Sequence, residues 1–163
     1  MPILNIFVSM GTHLKPFLRL LNEIKRLQEK DKNLSFFIQS GSTPIEGLKG
    51  MSFLSKKVYD SEIKRADLVI AHCGAGIMMN AFDFKKPLIL VPRLKKFDEH
   101  SNDHQKELAE KLSEEKNALM VLDINALEKT IKESLKLKSN FKPTKDLLAK
   151  DIREFIEEIE SEA

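Results

Sequence analysis

Cysteine is almost absent: the chain of 163 residues holds one, Cys73, so no disulfide can form within it. The N-terminus also lacks a charged segment leading into an apolar signal core, and together these two absences point to the cytoplasm. Long apolar runs are missing too. Segments such as Leu88 to Val91 fall far short of the roughly 20 residues that span a bilayer, so any membrane association must come through a partner or a surface contact. Excess charge of one sign is missing as well, since the formal net charge is +2 with lysines interleaved among acids. No strong field would draw the chain onto a polyphosphate backbone, and nucleic acid is not an expected partner. Phe36 and Phe37 alternate faces of one strand and read as core rather than as a base-stacking platform. No internal repeat is present.

What is present is an alternation of short apolar runs with longer amphipathic stretches, the pattern of parallel strands joined by crossover helices. Strands are predicted at Ile3 to Ser9, Leu34 to Gln39, Met51 to Leu54, Leu68 to Ala71, Leu88 to Val91 and Ala118 to Leu122. Helices are predicted at Lys15 to Lys30, Tyr59 to Arg65, Gly76 to Phe84, Asn102 to Glu115 and Asn125 to Leu137. The expected fold is α/β, a Rossmann-like open parallel sheet with helices on both faces. The main domain is expected over 1–140. Over 141–163 a terminal amphipathic helix follows a break at Phe141-Lys142-Pro143, placed either on the parent sheet or against a partner. Met10, Met51, Met78 and Met79 are expected to fill gaps in the core.

In open parallel sheets ligands bind beyond the carboxyl ends of the strands, which singles out four loops. Ser9-Met10-Gly11-Thr12-His13 combines a glycine with hydroxyl and imidazole donors suited to an anion, and Gln39-Ser40-Gly41-Ser42-Thr43 is again small and polar. In His72-Cys73-Gly74-Ala75-Gly76, two glycines lie between a strand and a helix and expose the helix's first amides, which suit a diphosphate. A close helix-to-strand contact is the structural alternative for the same glycines. No Gly-Lys-Ser/Thr follows, and position 79 is Met, so neither a Walker A loop nor a GxGxxG dinucleotide fingerprint is present. The fourth loop, Arg93 to Gln105, gathers Glu99, His100, Asp103, His104 and Gln105, groups able to hydrogen-bond sugar hydroxyls. His100 and His104 have the spacing of a helical zinc pair, but no third ligand is evident and no metal is expected. Cys73 cannot pair with the adjacent His72 as nucleophile and base on an extended strand, so it is expected to be structural.

In this order the pieces form a known set: Val8 to His13, Gln39 to Ser42, Ala66 to Gly76, Lys86 to Arg93 and Glu99 to Gln105. From about residue 3 to about residue 122 the chain resembles the glycosyltransferase family 28 C-terminal domain, and within it the stand-alone Alg13-like and PssE-like subunits. The resemblance implies the half of a GT-B enzyme that binds a UDP-sugar donor, with a membrane-associated Alg14-like or PssD-like subunit supplying the acceptor side. Gly11, Thr12 and the Gly74-Ala75-Gly76 turn would line the diphosphate; Asp103, His104 and Gln105 would meet the donor sugar; Arg93 and Glu99 would shape the cleft; His13, His72 and Asn80 complete the expected substrate-binding set. The sequence departs from the family pattern at Asn80, where a glutamate commonly holds the ribose hydroxyls, and at Ile77, Met78 and Lys85, where small residues are usual.

The implied reaction is inverting sugar transfer to a lipid-linked, polyprenyl-diphosphate saccharide in surface polysaccharide or glycan synthesis. It needs no cofactor. No catalytic base is assigned; His13 is the one candidate. The rivals are a non-catalytic enhancer subunit, which Asn80 favours, and an unrelated flavodoxin-like binding module.

Overall fold

The computed structural model describes residues 2–114, 118–137 and 145–162. Its centre is a sheet of six parallel strands: β1 (Leu4–Ser9), β2 (Leu34–Gln39), β3 (Gly50–Met51), β4 (Leu68–Ala71), β5 (Leu88–Leu90) and β6 (Leu119–Met120). Their spatial order is β3-β2-β1-β4-β5-β6. This is the doubly wound order and not the flavodoxin-like one, in which the third strand follows the first.

Strand parity sorts the core into two layers. Ile6, Val8, Phe36, Ile38, Leu68, Ile70 and Ile89 point to one face and pack on Leu20, Ile24 and Leu27 of α1 (Leu18–Lys30) and on Leu127 and Ile131 of α5 (Leu127–Leu137). Phe7, Val69, Ala71, Leu88 and Leu90 point to the other. There they meet α2 (Lys56–Arg65), α3 (Ala75–Asp83), α4 (His104–Glu114) and α6 (Lys145–Glu162) through Ile63, Met78, Ala81, Leu112, Ile152 and Phe155. With both faces covered, β4 is buried at all four positions.

Element ends differ from the sequence expectations for local reasons. Helix α1 starts at Leu18 rather than Lys15, because the Lys15 amide donates to His13 Nδ1 (3.0 Å) and the Phe17 amide to Thr43 Oγ1 (2.9 Å). Helix α2 starts earlier than expected, at Lys56, because Ser55 caps it by accepting from the Val58 amide. Helix α4 starts at His104, whose amide donates to Asn102 Oδ1 (3.1 Å). β3 and β6 shrink to two residues each. Met51, expected in the core, is 54% exposed because β3 is an edge strand of two residues and Met51 is its last. Phe36 is buried, and Phe37 is partly buried and stacks on Phe7 with ring centroids 6.4 Å apart.

Helix α6 lies against α3 and α4. The break expected at Phe141 to Pro143 lies outside the described residues, as do the side chains of Leu147, Leu148 and Ile159.

Candidate functional site

The chain leaves β1 toward the α1 face and leaves β4 toward the α3 face, although β1 and β4 are neighbours in the sheet. Connections that diverge between adjacent strands open a crevice at their carboxyl ends. The loops after β1, β4 and β5 meet there. A larger apolar cavity of about 450 Å³ lies at the other end of the sheet, among Leu4, Leu27, Leu34 and Ile131, and holds none of the polar loop residues.

The loop after β1 turns on Gly11, whose φ of +76° is a left-handed conformation that disfavours side chains. A Cβ there would also strike the His72 imidazole, and one at Gly74 would strike the same Nε2 and Cε1 atoms of that ring. The two glycines are therefore a slot for His72. Gly74 is also the cap residue of α3 and has no side chain to cap it, and no side chain among the described residues bonds the leading amides of Ala75, Gly76 and Ile77. Gly76 is exposed, and a Cβ on it would meet nothing within 4 Å. Open space thus lies in front of a positive helix end.

Gln105, in the first turn of α4, holds this arrangement together. Its Oε1 accepts from the Cys73 amide (3.3 Å) and the Arg93 amide (3.1 Å), joining the ends of β4 and β5. With Oε1 so engaged, Nε2 faces His72 Nδ1 at 3.2 Å and must donate to it. The His72 proton then resides on Nε2, on the side toward Gly11. Burial, and next the Arg93 charge, push the His72 pKa down to about 4, so the ring is neutral at pH 7.

The other histidines follow the same logic. His13 Nδ1 accepts from the Lys15 amide (3.0 Å) and His100 Nδ1 from the Asn102 amide (3.4 Å), so in the neutral rings Nε2–H is again the donor. The two rings lie 4.8 Å apart. Both pKa values are lowered, first by burial, then for His13 by Arg93 and for His100 by His13. An imidazole with Nδ1 occupied and Nε2 protonated donates; it does not abstract a proton. His13 is thus placed as a donor at the mouth. His104 differs, with Nδ1 3.3 Å from Glu107 Oε2 and its ring edge-on to Phe155.

Arg93 and Glu99 lie beneath the crevice. Arg93 is 1% exposed and donates to the carbonyls of Met10, Lys15 (2.9 Å) and Glu99 (3.3 Å), with its guanidinium over the Phe17 ring. Glu99 is paired twice to Arg19 (2.9 and 3.0 Å) and accepts from the Leu94 amide. Arg19 in turn donates to the carbonyls of Pro92 and Leu122. These residues set the positions of the loops. Thr12 is exposed at the mouth, and Asp103 accepts from the Lys95 amide at the entry to α4. Asn80 is half-buried and lies near the Tyr59 hydroxyl, as does Ser9, whose Oγ donates to Gln39 Oε1. Burial raises the Tyr59 pKa to about 12. Cys73 is inert, its thiol buried 3.7 Å from Met78 Sδ and its pKa pushed up to about 12. No group of three His, Cys, Asp or Glu disposed to hold a metal is present among the described residues.

Tyr59 and Arg19 carry weight that sequence reasoning missed. Each sits in an ordinary amphipathic helix, and only the tertiary structure brings it to the loops.

The comparisons now decide the family. A profile of the glycosyltransferase family 28 C-terminal domain matches residues 5–159. The chain belongs to that family. It is 32% identical over 134 residues to the UDP-N-acetylglucosamine--N-acetylmuramyl-(pentapeptide) pyrophosphoryl-undecaprenol N-acetylglucosamine transferase of Cytophaga hutchinsonii. That match covers 78% of this chain and 35% of the relative, so the chain spans about a third of the relative's length. Among solved structures it shares the fold of the kitacinnamycin glycotransferase, with a TM-score of 0.63 at 15% identity over 93% of this chain and 40% of that one. It shares the fold of ALG13 too, with a TM-score of 0.57 at 20% identity over 88% of this chain and 91% of that one. The family 28 domain here is a GT-B type Rossmann-like half, with no helix among the described residues long and apolar enough to cross a membrane.

Two predictions follow from these contacts. Arg93→Met leaves three carbonyls without their donor, and urea unfolding should show a loss of about 3 kcal/mol, while Arg93→Lys recovers only part because one ammonium cannot span the three. His72 has a folded pKa below its unfolded value, so the unfolded chain binds the extra proton. Its contribution should fall as pH drops from about 6.5 to about 4 and level off below, seen as the difference between wild-type and His72→Asn melting curves across that window.

Proposed function

We propose that the chain is the donor-binding part of a two-component inverting glycosyltransferase, binding a UDP-sugar that is transferred to a lipid-linked saccharide presented by a membrane-associated partner. The observation that carries this reading is the uncapped, open N-terminus of α3 beside the neutral Nε2–H of His72. In this reading the backbone amides and uncharged imidazole donors serve one space at the switch point. They match a diphosphate, whose charge grows as the glycosidic bond breaks, so donors already aimed at it lower the barrier to departure. The relative from Cytophaga hutchinsonii acts, by its name, with a UDP-linked sugar on a pyrophosphoryl-undecaprenol acceptor, which supports the same chemistry here.

An inverting attack also needs a base near the acceptor hydroxyl. His13, His72 and His100 offer no unprotonated nitrogen there, since each Nδ1 is occupied, whereas His104, whose Nδ1 faces the Glu107 carboxylate, keeps an unprotonated Nε2 in the neutral ring. In this reading the partner supplies the base together with the acceptor, and it recruits this chain to the cytoplasmic face of the membrane.

A second reading, a non-catalytic enhancer, draws on Asn80, which engages Tyr59 instead of presenting a carboxylate to a ribose. Asn80→Glu separates the two. In a working donor site the restored carboxylate should tighten UDP binding several-fold by calorimetry, whereas an enhancer gains nothing.

Gly76→Asp tests the cradle itself. The fold has room for the side chain, so melting should hold near wild type. A carboxylate facing the diphosphate should lower UDP affinity at least roughly tenfold. Unchanged UDP affinity would refute the site. In transfer assays the purified chain should show little or no product with a lipid-linked acceptor until the membrane partner is added; robust transfer by the chain alone would sink the two-component reading.

A further inference from the structure

Resting on the donor-binding reading, we infer that the pocket between α3, α4 and α6 receives the transferred sugar and admits an uncharged pyranose in preference to a uronic acid, with Ile156 and Phe155 of α6 as its selecting wall. The pocket, about 280 Å³, is lined on its floor by Cys73 and Ala75 and on one side by His100, Asn102, His104 and Gln105. Leu108, Ile152, Phe155 and Ile156 line the other side. Ala75 contributes both a leading amide of α3 and part of this wall, so a diphosphate on those amides has its next group at the pocket entrance.

The two arms of the donor are assigned by geometry. Asn80, the position implied for the ribose, faces Tyr59 and Ser9 on the α2 side. A nucleoside placed there leaves only the α4 side for the sugar. On that side Asn102, His104 and the remaining N–H of Gln105 offer hydrogen bonds to hydroxyls. The α6 wall offers only carbon, suited to the C–H face of a sugar ring. No lysine or arginine among the described residues lines the pocket: Lys106 of the α4 first turn lines a separate cavity with Asp103, and the Glu107 carboxylate lies 3.3 Å from Nδ1 of the lining His104. A sugar carboxylate would lose water there without gaining a cation.

This gives α6 a task beyond covering the sheet. Phe155 is 8% exposed and anchored among core residues, whereas Ile156 is 42% exposed, so its side chain can be changed with the helix still docked.

The test is a calorimetric titration of the full chain with UDP, UDP-glucose and UDP-glucuronate, repeated on Ile156→Ser and Ile156→Arg, with melting curves to confirm folding. The wild type should bind UDP-glucose at least about tenfold more tightly than UDP-glucuronate. Ile156→Ser should weaken UDP-glucose alone, and Ile156→Arg should raise UDP-glucuronate affinity roughly tenfold while UDP stays within about twofold. Equal binding of the two sugars by the wild type, or an Ile156→Arg protein with unaltered preference, overturns this inference and leaves the donor site standing. Absence of UDP binding by the wild type overturns the donor-binding reading, and the inference with it.

Discussion

A guanidinium taken almost wholly out of water has to find its acceptors inside the protein, and Arg93 finds them in the loops that make the crevice. The carbonyls of Met10 and Lys15 belong to the loop after β1, and that of Glu99 belongs to the loop after β5. One side chain therefore holds two loops that the sheet itself does not join. Burial lowers its pKa to about 10, still far above neutral pH, so the charge persists and lowers the pKa of His13, His72 and His100. The consequence is a mouth whose rings stay neutral and donate through Nε2–H. Lys15 adds to the field on His13 and His100, but the Arg93 share comes from a cation locked below the surface, where salt screens it less.

Gln105 supplies the complementary constraint. By accepting from two strand ends and donating to His72, it couples sheet geometry to imidazole tautomer. The missing side chains at Gly11 and Gly74 give the ring the room it occupies. Preorganisation of this kind matters more than the number of donors, because donors already aligned need not reorganise as charge develops on a leaving group.

Much of this was legible in residue order. The four strands of the sheet centre, the switch-point loops and the Gly-Ala-Gly opening of α3 follow from apolar runs that end in small polar residues, since strand parity and turn chemistry are local. Helix starts were less legible. Where α1 begins depends on Thr43 reaching Phe17 across 26 residues, and no periodicity encodes that. Met51 read as core because hydrophobicity alone does not reveal that a two-residue edge strand leaves its last side chain in water. Arg93 and Glu99 were picked out as loop residues beside the cleft, while their burial beneath it depends on Arg19, a residue that looked like any charge on a helix face.

Asn80 shows how far a single exchange can propagate. A glutamate at this half-buried position would set a carboxylate beside the Tyr59 hydroxyl and Ser9, where it would accept a hydrogen bond yet carry an uncompensated charge until a ligand arrived. Asparagine removes that cost and leaves the surroundings of Tyr59, Ser9 and Gln39 uncharged. In the donor-binding reading proposed above, the same exchange takes a charge-assisted contact from the nucleoside side, so that reading puts more of the binding on the α3 amides and on the pocket under α6. A chain built in this way depends on its backbone cradle and its apolar wall together, and loss of either should leave a folded domain with little hold on a nucleotide sugar.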